Sequence, residues 1–283
     1  MAAVVVLLGA LVVGQGALSV LLGWGLEIAL SPAGALAFAG LLATAVGAAW
    51  LSLRKLVGLP AARAGLVFDA RFMQELPLAA LVGVAWAGFT VLGLSVTGLA
   101  TLARSTELPH VAMVLSGFLA SVLAAAFRQL SHNSLLVALA GDRPINPALL
   151  GVPSVVTSAL LVLSGAPWLA VGNGALLALV TALLFAREDR REHAIAIGFE
   201  AGWLFTLVFV AGSPILGLPH ELGLFRWPGA AAGALDIVTG GPRGFDGGLA
   251  CTAALTLLTA ALVKARFAPV ETPGGPPPIP PPP

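Results

Sequence analysis

The chain has few charges for its length. Of 283 residues, only 14 are Lys or Arg and 13 Asp or Glu. A soluble domain of this size would carry roughly 70 charged residues. That shortage excludes an ordinary water-exposed surface. Net charge is +1, and the basic residues are scattered. This excludes the basic patch that nucleic-acid binding requires. One cysteine, Cys251, excludes an intrachain disulfide and any cysteine-rich zinc or iron–sulfur centre. Tyrosine is absent, so any aromatic belt at a membrane interface is built from Trp and Phe. Several motifs are missing as well: a phosphate-binding glycine loop ending in Lys-Ser/Thr, a Gly-x-Ser-x-Gly elbow, paired aspartate runs, and a His-x-x-x-His zinc pair.

Long apolar runs dominate what remains. A helix needs about 20 apolar residues to cross the hydrocarbon core at 1.5 Å per residue. The sequence reads as an all-α integral membrane protein, a bundle of about eight transmembrane helices. The expected spans are residues 3–25, 33–53, 78–103, 111–126, 149–163, 168–186, 194–216 and 249–263. The fifth and sixth come from one apolar block of 40 residues, Pro147 to Ala186, divided at Ser164-Gly165-Ala166-Pro167. The first run has no Lys or Arg at its head, so it reads as an uncleaved span. Residues 217–248 form an outer loop, within which Pro228–Leu235 is a candidate interfacial or re-entrant helix. Residues 268–283 hold nine prolines in 16 positions and read as a disordered, extended tail.

Charge placement orients the bundle. Under eight spans, 11 of the 14 basic residues fall on one side: Arg54, Lys55, Arg63, Arg71, Arg128, Arg143, Arg187, Arg190, Arg191, Lys264 and Arg266. Lys and Arg prefer the cytoplasmic side. Both termini are therefore expected in the cytoplasm, in a plasma or inner membrane. Leu108-Pro109-His110 and Leu218-Pro219-His220 each follow a span on the outer side, which raises a four-plus-four duplication of the kind found in transporters.

Few polar groups lie inside these spans. Glu200 sits six residues into the seventh span, roughly 9 Å along it. A carboxylate at that depth must face a partner, the bundle interior or a wet cavity. It can serve as a proton- or cation-coupling group or as a structural carboxyl, and Arg128 is its candidate partner. Glu200 also lies within Gly198-x-x-x-Gly202, a spacing that lets another helix come close. Gln15 and Asn173 are mid-span amides that either line a polar path or bond between helices. The outer loop carries His220, Asp236, Arg243 and Asp246, where any lipid-directed chemistry would reside. The histidines occupy helix ends or loops without ligand spacing, so no metal and no cofactor is expected.

Three functions follow from these features. The chain reads as a multi-pass permease or transporter for a small molecule or ion, proton-coupled through Glu200. The alternative is a non-catalytic membrane anchor or scaffold subunit. A membrane-embedded lipid-modifying enzyme is the third. The expected partners are the lipid bilayer and either further copies of the chain or other membrane subunits, with no nucleic acid.

Overall fold

The computed structural model describes residues 69–100, 102–104, 111–140, 143, 145–186, 192–213, 223–226 and 235–267. The first two expected spans, Gln15, His220, most of the candidate re-entrant segment and the proline-rich tail lie outside the described residues.

Helix α1 runs Ala70–Val96. Asp69 caps it, its side chain accepting from Phe72 N at 2.8 Å. The helix begins two turns before the expected Leu78. A proline removes one helical hydrogen bond and usually marks a boundary, but here Pro77 lies inside the helix. The capped first turn and the Arg71–Glu75 pair support the backbone on the N-terminal side of that proline. Gly98 adopts φ +72° and ends the helix before the expected Ala103, as left-handed glycine does.

Helix α2 runs Val111–Ala140, well past the expected Ala126. This corrects the placement of Arg128 in a loop: it lies in the helix interior. So does His132, expected at a helix end or in a loop. The polar run does not end the helix because its members meet partners inside the bundle, as described below.

Asn146 caps a 3₁₀ turn, Pro147–Gly151, by accepting from Ala148 N at 3.0 Å. The turn leads into α3, Val152–Leu163. At Ser164–Pro167 the chain reverses through Gly165, φ +74°, into α4, Trp168–Phe185. Helix α5 is His193–Phe205 and continues as a π-helical turn, Thr206–Val210. It stops short of the expected Leu216, with Gly212 at φ +67°. A short helix α6, Leu235–Thr239, and two 3₁₀ turns lead into α7, Leu249–Phe267. Strand β1, Ala103–Arg104, pairs antiparallel with β2, Phe225–Arg226. This stitches together the segments that follow α1 and α5.

Helix α5 is the hub. Helix α1 lies parallel to it at close range: a Cβ at Gly198 would strike the Leu76 carbonyl, and one at Gly202 the Ala80 carbonyl. Gly83 of α1 sits equally close to the Phe199 carbonyl. Helix α2 runs antiparallel to α5 on another face. Phe118 meets Phe205 edge-on at 5.5 Å, and Ala125 packs with Ile197 and Ala201. Gly198 and Glu200 are about 200° apart around the helix axis at 3.6 residues per turn. One helix thus presents glycines to α1 and its acid to α2.

A larger apolar cluster joins α1, α4, α5 and α7 around Phe199, Trp203, Phe245 and Leu255. A second gathers Leu136, Ile145, Leu183 and Phe185 near the turn into α5. The outward surfaces are apolar too. Met73, Leu81, Phe89 and Val96 of α1 and Trp168 of α4 are exposed, an arrangement suited to lipid and costly in water. Ala70–Val96, Trp168–Phe185, His193–Val210 and Leu249–Arg266 are long and apolar enough to cross a membrane. The protein is of the all-α membrane class. Four such helices, not eight, stand among the described residues, and these residues trace no internal repeat.

Candidate functional site

The central polar cluster forms where α2 faces α5. Glu200 is 1% exposed and Gln129 fully buried. Gln129 Nε2 donates to Glu200 Oε2. Arg128 Nε lies against Glu200 Oε1 as an ion pair. Asn133 Nδ2 donates to Gln129 Oε1 at 3.0 Å. His132 is buried beside them on α2. A carboxylate, a guanidinium and two amides are thus linked across one helix–helix seam.

Some groups of this cluster are not used within it. Arg128 Nη2 and Asn133 Oδ1 are buried and have no hydrogen-bond partner among the described residues. An unused buried donor or acceptor is costly and calls for an explanation. The Arg128 side chain keeps 22% of its surface exposed. Chemically, it can hold an ion pair, exchange a proton at the carboxyl, and offer a guanidinium donor and an amide acceptor to a guest.

Sequence reasoning singled out Glu200 and Arg128 and missed Gln129 and Asn133. The signal was there. Arg128-Gln129 and His132-Asn133 are polar pairs four residues apart, which lie on one side of a helix. Ending the fourth span at Ala126 hid that periodicity.

The second polar cluster surrounds Asn173 on α4. Its Nδ2 donates to Asp246 O at 2.7 Å and to Gly248 O at 3.0 Å, and its Oδ1 accepts from Thr252 Oγ1 at 2.7 Å. The amide thereby ties α4 to the turn before α7 and to the first turn of α7. Ser213 Oγ accepts from Phe245 N at 2.9 Å, fixing the same turn to the end of α5. Gly240 and Gly244 both take φ +89° there, a conformation open mainly to glycine.

The outer-loop candidates divide. Arg243 and Asp246 face each other electrostatically. Burial pushes the Asp246 carboxyl up to about 6, opposed by the Arg243 charge and by the backbone N–H groups of Asp246 and Gly247. Asp236 lies in α6, where its carbonyl accepts from Gly240 N at 2.7 Å. His220 is outside the described residues. Among those residues, no group of three or more His, Cys, Asp or Glu side chains is placed to hold a metal ion.

A third polar contact closes one end of the bundle. Arg71 of α1 bonds Glu192 at 2.7 Å, just before α5, and also Glu75 within its own helix. Together with the β1–β2 pairing, it fastens α1 and α5 at both ends.

No protein family, characterised protein or solved structure matches this chain.

Proposed function

We propose that the protein is a multi-pass permease for a small molecule or ion, with Glu200 as its proton-responsive group. The observation that carries this reading is the cluster between α2 and α5: a buried carboxylate faces a guanidinium, and neighbouring polar groups are left unused. Ionisable residues inside a membrane bundle are costly and mark substrate or proton paths. Protonating Glu200 removes the negative partner of Arg128 and changes the charge of the seam. The α1–α5 seam, closed by glycines, supplies a rigid wall behind that switch.

In the full reading, α2 and α3 also cross the membrane, and residues 3–25 and 33–53 add two more spans. This gives eight helices, halves of four, cytoplasmic ends and a solvated proline-rich tail. The Arg71–Glu192 end is then cytoplasmic and the Asp246 end outer. A scaffold subunit is the second reading, favoured by the close backbone contact at Gly198 and Gly202, which suits a static bundle.

Flux in proteoliposomes decides between them. Across a solute panel, Glu200→Gln should abolish the response of flux to a pH gradient while the protein stays folded. Equal flux and equal pH response in the variant and the wild type would sink the coupling role. For topology, single cysteines at positions 190 and 243 should label from opposite sides.

A further inference from the structure

We infer that the cargo of the α2–α5 cluster is a small organic anion, a carboxylate carrying a hydroxyl or similar donor, moved together with one proton. This rests on the permease reading and names its substrate class.

The leftover groups define the guest. Arg128 has Nη2 buried and unused, while its Nε is engaged by Glu200. Guanidinium donors select carboxylates and other oxyanions through their fixed fork. Asn133 Oδ1, also buried and unused, is an acceptor and asks for a donor on the same guest. The two residues lie five positions apart on α2, about 7.5 Å along the axis, and both contact the Glu200–Gln129 pair, Arg128 through Glu200 and Asn133 through Gln129. A cation finds Arg128 in its way, and a plain hydrocarbon satisfies neither group.

Charge balance then supplies the coupling. The empty site holds Arg128 as a cation and Glu200 as an anion, and is neutral. A guest carboxylate entering alone would leave one net negative charge. A proton arriving alone on Glu200 would leave one net positive charge. Both states bury an uncompensated charge, which a membrane interior penalises heavily. The proton on Glu200 and the anion on Arg128 together restore neutrality. The proton is held on the Glu200 carboxyl, Gln129 Nε2 still donates to that group, and no covalent bond changes.

Among the described residues, the elements packed around the cluster add no competing charge. Helix α1 presents Leu76, Ala79 and Ala80 to Gly198 on the opposite side of α5. Its nearest acid, Glu75, is held by Arg71. Helix α4 contains no titratable residue. On α2 the remaining titratable neighbour is His132, and on α5 it is His193, whose ring lies against Phe185 at 4.5 Å.

The test uses the full chain in proteoliposomes with radiolabelled lactate, acetate and choline, under an inward proton gradient and a clamped membrane potential. Lactate should accumulate, faster than acetate, and changing the clamped potential should leave its rate unaltered. Arg128→Gln should lower lactate uptake about tenfold or more, the value of one charge-assisted hydrogen bond. The double variant Arg128→Gln/Glu200→Gln, which leaves no unpaired charge, controls for folding and should be equally inactive. Asn133→Leu should erase the preference for lactate over acetate. Accumulation of choline without either carboxylate would overturn the anion assignment and leave a permease. Movement of some other solute of the panel but none of these three would overturn the anion assignment and leave a permease, and movement of no panel solute by folded protein would overturn both. Lactate uptake that tracks the membrane potential would refute the one-proton balance.

Discussion

Among the described residues, two buried polar joints hold this bundle, and they use their hydrogen-bonding groups differently. At Asn173, both amide hydrogens and the carbonyl oxygen are engaged, with α4, the turn after α6 and α7 as the joined parts. At Glu200, the joint contains a charge pair, yet Arg128 Nη2 and Asn133 Oδ1 remain unused. The Asn173 amide is closed: it satisfies itself, although Arg243 Nε and Asp246 Oδ1 in the turn beside it are unused. The second is open: it holds two helices and still has a donor and an acceptor for something else. Buried polarity alone therefore does not mark a site. What separates a joint from a site is whether its groups balance without a guest.

The strongest way to break this contrast is to remove one charge. Glu200→Ala leaves Arg128 facing the seam without its anion. Stripping one partner from a buried pair costs about 3–5 kcal/mol. The variant should show a large drop in thermal midpoint in detergent. Replacing both partners, as Arg128→Met/Glu200→Met, should return the midpoint close to the wild-type value while flux stays lost. A double variant that remains as unstable as Glu200→Ala would mean that the pair is chiefly structural, and the two joints would no longer differ in kind.

The closed joint should behave in the opposite way. Asn173→Ala deletes three hydrogen bonds, each worth about 1 kcal/mol net, so stability should fall by about 3 kcal/mol. Flux per folded molecule should be unchanged, because the amide offers nothing to a guest. If Asn173→Ala abolished flux at unaltered stability, the assignment of Asn173 as a joint would fail, and it would belong to the path.

Much of this contrast was legible in the residues, and the rest was hidden for physical reasons. Membrane class follows from charge scarcity, and the depth of Glu200 follows from counting along its span. Gly198 and Gly202 announce a close helix neighbour, although not that the neighbour is α1. The start of α1 was obscured because Pro77 reads as a boundary, whereas capping by Asp69 and the Arg71–Glu75 pair form the helix ahead of it. Gln129 and Asn133 were lost because a polar run looks like a loop until a buried partner is known. That partner lies about 70 residues away, and no local periodicity carries such a distance. Asn173 was visible as a mid-span amide, but its acceptors are backbone carbonyls, which side-chain patterns do not display.

The finest distinction lies at the edge of the closed joint, in the turn that Asn173 grips. Asp246 gives that amide its backbone carbonyl, while its carboxyl is pushed from 3.8 to about 6 by burial. A carboxyl raised in the folded state holds its proton more tightly folded than unfolded. Its stabilising contribution is complete below 3.8 and is lost as pH rises through about 6. Lowering the pH from 7 to 5 should therefore stabilise the protein by about 1 kcal/mol, read as a small rise in thermal midpoint in detergent. Asp246→Asn mimics the protonated form and should remove that rise without touching flux. Comparing it with Glu200→Gln separates the two acids. The first should change how stability depends on pH and leave flux alone, and the second should remove the response of flux to a proton gradient. If Asp246→Asn removed the pH response of flux instead, the coupling group would sit in the outer turn, and the open and closed joints would exchange roles.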